Sequence, residues 1–292
     1  MGHDLPVLVV GADGVLGAAI ATRLAAAGTP VVGTSRRGTA GMLPLDLAAA
    51  ASSWQLPGRL QSAVLCAAVT SIAECRMQPA HARLVNVDAT VELAARLIAL
   101  GARVVFLSSN QVFDGAVART PADAARCPRT AYGRMKAEAE IAILGLTAST
   151  LVVRLTKVVH GDMPLFAGWR DAFEYGQPVR PFADLPLAPL ALDFAATAVT
   201  GALSCERGGV LQVSATHDIT YADMARRLAR AFGHPETLVA PVHAAIGTGA
   251  IEHVPRHTTL DTTMLRESIG LEAPSPWAAV DALAGAMRGG RK

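Results

Sequence analysis

Tyr132-Gly133-Arg134-Met135-Lys136 sets a phenol and an ammonium four residues apart, and a helix over Ala131 to Leu144 brings both to one face. The chain has 3 Tyr, and only three of its 26 basic residues are Lys; a pair at this spacing would arise by chance about 0.03 times. An exposed ion pair tolerates either cation, whereas a compact ammonium that bears on a phenol and reaches ribose hydroxyls is a lysine role. A neighbouring ammonium favours the ionised phenol and strengthens it as an acid at neutral pH. Such a tyrosine can protonate a carbonyl oxygen as hydride arrives from a nicotinamide. Val104-Val105-Phe106-Leu107 runs into Ser108-Ser109-Asn110, and a hydroxyl at that strand's carboxyl end can donate to the same oxygen.

A phosphate site precedes this pair in the chain. Gly11-Ala12-Asp13-Gly14-Val15-Leu16-Gly17 follows the apolar run Pro6 to Val10 and opens an Ala/Leu-rich helix closed at Gly28. Glycines at 11, 14 and 17 let the backbone turn tightly against a pyrophosphate at the positive end of that helix, with Val15 and Leu16 inside the turn. After the second strand a NAD site would place an acid near position 35. Here Ser35, Arg36 and Arg37 suit a 2′-phosphate, so the expected cofactor is NADP(H), with NAD(H) as the alternative.

Strand signals at Val7 to Val10, Val31-Val32, Ala63 to Leu65, Val104 to Leu107 and Leu151 to Val153 alternate with helical stretches, of which Ala89 to Leu100 is the clearest. That pattern predicts an α/β doubly wound parallel sheet of Rossmann type. Beyond Arg154 it loosens. Residues 1–159 read as the cofactor-binding domain and 160–292 as mainly a small substrate lobe, too short for an independent core, with about 186–215 returning to the sheet and a helix at Tyr221 to Phe232.

Of 292 residues 51% are hydrophobic and 17% charged, with a net charge of +2 and no basic block. This composition argues against nucleic-acid binding. No run of 18 apolar residues and no secretory pattern at Met1 to Pro6 are present, so a soluble, cytoplasmic chain without membrane attachment is expected. The four cysteines, Cys66, Cys75, Cys127 and Cys205, are widely spaced and read as buried thiols. Pro255 separates His253 from His257 and spoils a helical metal pair, and no metal is expected. Gly-x-Ser-x-Gly is absent, which excludes a nucleophile elbow.

The chain resembles the extended short-chain dehydrogenase/reductases, and within them dTDP-4-dehydrorhamnose reductase and its sugar-nucleotide-binding relatives. The glycine turn, Cys66-Ala67-Ala68, Val85-Asn86-Val87, Leu107 to Gly115, Tyr132 to Lys136, Val153-Arg154 with His160-Gly161, and Pro255 to Asp261 carry the resemblance. It implies Ser109 as the catalytic hydroxyl, Tyr132 as general acid and Lys136 as the ribose-binding lysine. It also implies Asp46 as an adenine-side contact, Ala67 and Ala68 along the cofactor, and Asn86 as a support. The implied activity is NADPH-dependent reduction of a nucleotide-linked 4-keto sugar. Two alternatives stay open: a non-catalytic regulatory subunit, like a relative that serves methionine adenosyltransferase, and an NAD-dependent sugar-nucleotide epimerase. A homodimer is possible in such proteins.

Where the reductase reads Ser-Thr-Asp-Tyr-Val-Phe-Asp-Gly, this chain has Asn110 and Gln111 in place of the acid and the ring, and Ala122 with Asp123 beside it where an acid is usual. The expected sugar specificity therefore differs from that of the rhamnose enzyme. Asn110, Gln111, Trp169, Arg180 and Arg256 are candidate substrate contacts, and Arg154 and Arg170 are further candidates for a diphosphate.

Overall fold

The computed structural model describes residues 5–245 and 251–289; the chain ends assigned above to the two units, and the N-terminal residues read for a secretory pattern, lie partly outside this range. Seven strands form one parallel sheet: β1 (Val7–Val10), β2 (Val31–Ser35), β3 (Leu43–Pro44), β4 (Ser62–Leu65), β5 (Arg103–Ser109), β6 (Leu151–Leu155) and, after the chain has passed through three short strands and two helices, β10 (Gly209–Val213). Their spatial order is β10-β6-β5-β4-β1-β2-β3. The direction of winding reverses between β1 and β4, which is where open α/β sheets bind ligands.

Helices cover both faces of the sheet, which explains why its strands are largely apolar on both sides. Val7 and Val9 enter one core with Ile20 and Leu24 of α1 (Val15–Ala26) and Val199 of α7 (Leu192–Ser204). Leu8 and Val10 enter the other with Leu93 and Leu97 of α4 (Ala89–Ala99) and Ile143 of α5 (Ala131–Leu144). Two short helices, α2 (Ile72–Met77) and α3 (Pro79–Arg83), lead into α4 through a π-helical turn over Leu84–Asp88.

The C-terminal part carries a core of its own, which corrects the reading of that tail as too short for one. Phe166, Trp169 and Phe173 of α6 (Pro164–Glu174) pack with Met224 and Leu228 of α8 (Tyr221–Phe232) and Val280 and Leu283 of α10 (Pro276–Gly289). Each of these helices turns one apolar face inward, and the three faces together close the core. Two small two-stranded sheets join this lobe to the rest: β7 (Val158–Val159) with β9 (Leu190–Ala191), and β8 (Pro186–Leu187) with β11 (Ile219–Thr220). Helix α9 (Thr263–Ile269) packs on α7. Of the cysteines only Cys75 is buried; Cys66 and Cys205 are half-buried and Cys127 is exposed, contrary to the expectation of four buried thiols. No helix among the described residues is long and apolar enough to cross a membrane.

Candidate active site

The turn after β1 is held by close backbone contacts. Gly11 adopts φ +80°, and a Cβ on Gly17 would lie 2.1 Å from the Gly11 carbonyl oxygen, so the first turn of α1 sits directly on the preceding loop. Gly14 caps α1 without a side-chain acceptor, leaving the first amides of the helix free for an anion. This is the cradle that a pyrophosphate needs.

A cleft of about 1110 Å³ runs from this turn across the carboxyl ends of the strands to the lobe. On the β1–β2 side it is lined by Gly11, Gly14, Val15, Leu16, Gly17, Arg36, Asp46, Ala67 and Ala68, and over β5 and α5 by Ser109, Asn110, Gln111, Tyr132 and Lys136. Asn86 holds the loop between: its side-chain oxygen accepts from Val69 N at 2.8 Å and its amide donates to Val69 O at 2.9 Å.

Several nominated residues lie elsewhere. The Ser35 side chain turns inward and accepts from Thr39 N at 3.0 Å, and Arg37 is exposed outside the cleft lining. Trp169 does not line the cleft; it is buried in the lobe core, edge-on to Phe166 and Tyr221. Arg180 and Arg256 are exposed and outside the lining, and Arg170 pairs with Asp171 at 2.9 Å. Arg154 is fully buried: it bonds Glu140 at 2.8 Å, the Ala122 carbonyl at 2.9 Å and Gln212 at 3.2 Å. None of these four arginines faces the cleft, because each is committed to the scaffold or to solvent.

The junction of β5 and α5 explains how Ser109 and Tyr132 come to share the cleft. Thr130 caps α5, accepting from Gly133 N at 3.0 Å and donating to the Gln111 side-chain oxygen at 2.8 Å. A Cβ on Gly133 would stand 2.2 Å from the Gln111 carbonyl oxygen, so the Gly inside Tyr-x-x-x-Lys permits the approach. Ser109 Oγ accepts from Gln111 N at 3.2 Å and donates to Asn110 Oδ1 at 3.3 Å, while Asn110 Nδ2 donates to Thr258 O at 3.4 Å. The amides that replace the expected acid and ring thus help to tie the turn to α5 and to the segment 251–260.

Burial dominates the electrostatics of the pair. Desolvation, and then the nearby Cys75, pushes the Tyr132 phenol above its ordinary value. The lowering expected from Lys136 is therefore not what the folded chain shows: removing the phenolate from water and the charge of Cys75 move the phenol the other way. Burial likewise lowers Lys136 to about 8, opposed in part by Glu140, Cys66 and Cys75. Its Nζ lies 4.0 Å from the centroid of the Phe106 ring, a cation–π contact. Glu140, one turn further along α5, is fully buried; desolvation acts to raise its pKa, but hydrogen bonds and charge from Arg154, with Ser108 and Arg126, outweigh it and keep the carboxylate ionised. Arg126 meets it at 2.6 Å.

The sequence reading missed Thr130, Glu140, Lys157 and Glu252. Lys157 lines the cleft and is one of only three lysines, the same compositional signal that marks Lys136. Glu252 bonds to Ala131 from 121 residues away, and no local pattern announces it.

A parallel sheet in this order, with a glycine turn after its first strand and a Tyr/Lys pair beside its fifth, defines a protein of the extended short-chain dehydrogenase/reductase class. Within that class the chain belongs to the family described as RmlD substrate binding domain, whose profile matches residues 5–287. It is 30% identical over 287 residues to a dTDP-4-dehydrorhamnose reductase of Streptomyces griseus, covering 93% of this chain and 90% of that one. It is 26% identical over 288 residues to methionine adenosyltransferase 2 subunit beta of Pongo abelii, covering 93% and 84%. Its fold is that of a Bacillus anthracis dTDP-4-dehydrorhamnose reductase solved in complex with NADP, at TM-score 0.85 and 18% identity, covering 97% of this chain and 98% of that one. MoeE5, solved with UDP-glucuronic acid and NAD, has the same fold at TM-score 0.82 and 24% identity, covering 97% and 99%.

Proposed function

We propose that the protein is an NADPH-dependent reductase of a nucleotide-linked 4-keto sugar. The observation that carries this reading is the single cleft that joins the glycine turn to Ser109, Tyr132 and Lys136. In this reading residues 1–159 hold the cofactor and 160–292 mainly the sugar nucleotide, with about 186–215 returning to the sheet.

The bared first turn of α1 and the cradle that a Cβ on Gly17 would fill suit a dinucleotide pyrophosphate. Arg36, in the cleft lining, is the cation available to a 2′-phosphate and supports NADPH over NADH. When bound, the nicotinamide supplies hydride. Tyr132 is half-buried and holds its proton firmly because desolvation disfavours the phenolate, and it gives that proton to the carbonyl oxygen as negative charge develops there. Lys136, held between Phe106 and the charge of Glu140, binds the ribose hydroxyls and stabilises the phenolate left behind. Ser109, whose single hydroxyl proton leaves Asn110 Oδ1 to do so, donates a second hydrogen bond to the same oxygen. An NADPH-oxidation assay across dTDP-, UDP- and GDP-linked 4-keto hexoses tests this, with binding measured in parallel; turnover of any of them is the expected outcome.

A second reading is a regulatory nucleotide-binding subunit, favoured by the similarity to methionine adenosyltransferase 2 subunit beta along 93% of this chain. Binding of cofactor and sugar nucleotide without oxidation would decide for it.

A further inference from the structure

Glu252 lies in the segment 251–260, which forms one wall of the cleft. One carboxylate oxygen, Oε2, accepts from the backbone N–H of Ala131 at 2.9 Å, immediately before Tyr132 at the start of α5. The other, Oε1, is buried and has no hydrogen-bond partner among the described residues. The neighbouring chain fixes it: His253 Nε2 lies 2.7 Å from the Asp114 carbonyl, and the Gly115 carbonyl accepts from Arg256 N at 3.1 Å and His257 N at 2.9 Å. Among the described residues no arginine or lysine forms an ion pair with Glu252.

A buried anionic acceptor left without a donor costs free energy, and such groups in folded proteins are met by water, an ion or a ligand. Here the orphaned oxygen belongs to a side chain of the cleft wall. The charge around it narrows the ligand chemistry. Glu74 also lines the cleft, and, after burial, the charges of Glu74 and Glu252 both push the Cys75 thiol up, so two carboxylates bear on one region beside Tyr132. With the Lys136 ammonium also bearing on Cys75, the two carboxylates reward hydrogen-bond donors on their own side of that region. A ketone or a phosphate offers only acceptors, whereas a sugar hydroxyl or a protonated amine offers what Oε1 lacks.

We infer that Glu252 is a specificity-determining residue whose carboxylate turns on binding, so that the oxygen shielded in this structure takes a hydrogen bond from a donor on the sugar ring, a hydroxyl or an ammonium, next to Tyr132. This rests on the reading of the cleft as a nucleotide-sugar site. The same carboxylate fastens the sugar and the start of the helix that carries the acid, so recognition and the placement of Tyr132 share one side chain.

Glu252→Gln tests it. The amide oxygen can still accept from Ala131, while the NH2 group puts a donor where the ligand's donor must go. Calorimetric titrations of the wild-type and variant proteins, with NADPH present, use UDP-glucose, dTDP-glucose, UDP-glucosamine, UDP and dTDP. The expected result is binding of the nucleotide sugars weakened about tenfold or more, unchanged binding of UDP and dTDP, and an unchanged melting temperature. A larger loss for UDP-glucosamine than for UDP-glucose assigns the donor as an ammonium; an equal or smaller one assigns a hydroxyl. If Glu252→Gln melts early, Glu252→Asp, which keeps the charge but withdraws it by one methylene, is expected to weaken the nucleotide sugars selectively. Equal affinity of wild type and variants for every nucleotide sugar overturns the inference, as does a loss confined to NADPH. Failure of all nucleotide sugars to bind the wild-type protein overturns the functional reading and this inference with it.

Discussion

The cofactor side of the cleft and the substrate side are built by different means. On the cofactor side the closest approach is within seven consecutive residues, between Gly17 and Gly11, and the turn is backed by Thr34 and Ala67 of the adjoining strand ends. On the substrate side Asn110 meets Thr258 across 148 residues and Ala131 meets Glu252 across 121. Beneath it, Glu140 and Arg154 form a buried ion pair between α5 and β6, whereas Lys136 on the same helix is buried over an aromatic ring with no carboxylate bonded to it. The difference teaches that phosphate recognition here is a property of a local backbone turn, while the reacting groups depend on a network that the whole fold must close.

Four experiments probe this contrast. The largest effect belongs to the acid: Tyr132→Phe is expected to lower turnover 10²–10⁴-fold, roughly, with NADPH affinity nearly intact, because the hydroxyl serves the chemistry and not the cofactor side. Steady-state kinetics on a substrate found by the oxidation assay, with fluorescence titration of NADPH, check both halves; turnover at the wild-type rate would remove Tyr132 from its role.

Next, Arg154→Ala leaves Glu140 charged and buried, with only Arg126 to pair it. A loss of about 3–5 kcal/mol in unfolding free energy is expected, read from denaturant titration. A loss below about 1 kcal/mol would show that the network under the substrate side is dispensable. On the cofactor side, Arg36→Ala is expected to weaken NADPH about tenfold and NADH little, the low end of a charge-assisted bond because the side chain is exposed. Arg37→Ala should leave both unchanged; the reverse ranking would relocate the 2′-phosphate.

The smallest effect is in pH. Lys136 sits at about 8 in the folded chain against an ordinary 10.5, so folding disfavours its charged form. Between those values the unfolded chain binds more protons and stability rises with pH; below about 8 the penalty is fully present. Wild type should therefore gain about 1 kcal/mol relative to Lys136→Met between pH 8 and 9, measured by denaturant titration at each pH. Parallel profiles would mean that Lys136 is not desolvated.

The residues show where the sequence was readable. Tyr132 and Lys136 were legible because a helix turns four residues into one face, and the helix forms at the predicted bounds, Ala131–Leu144. The glycine turn was legible because its tightest contact, Gly17 against Gly11, lies within one seven-residue motif. Arg36 and Arg37 were not distinguishable, since a strand end that turns at Gly38 sends adjacent side chains apart: Arg36 lines the cleft and Arg37 does not. Trp169 and Arg154 were misread for one reason. Their types suit a pocket, but their burial is set by partners more than 50 residues or a strand away, Tyr221 for the ring and Gln212 and Glu140 for the guanidinium.

By itself the sequence determined the alternation of strand and helix, the phosphate turn, the face shared by phenol and ammonium, and the family that these define. Each rests on spacing within one element, where backbone geometry fixes which side chains meet. Only the tertiary structure decided which arginines reach the cleft, that burial raises the phenol and lowers the lysine, and that Glu252 brings an unanswered carboxylate oxygen beside Tyr132. Those outcomes depend on desolvation and on contacts between segments far apart in the chain, and both exist only once the lobe has closed against the sheet.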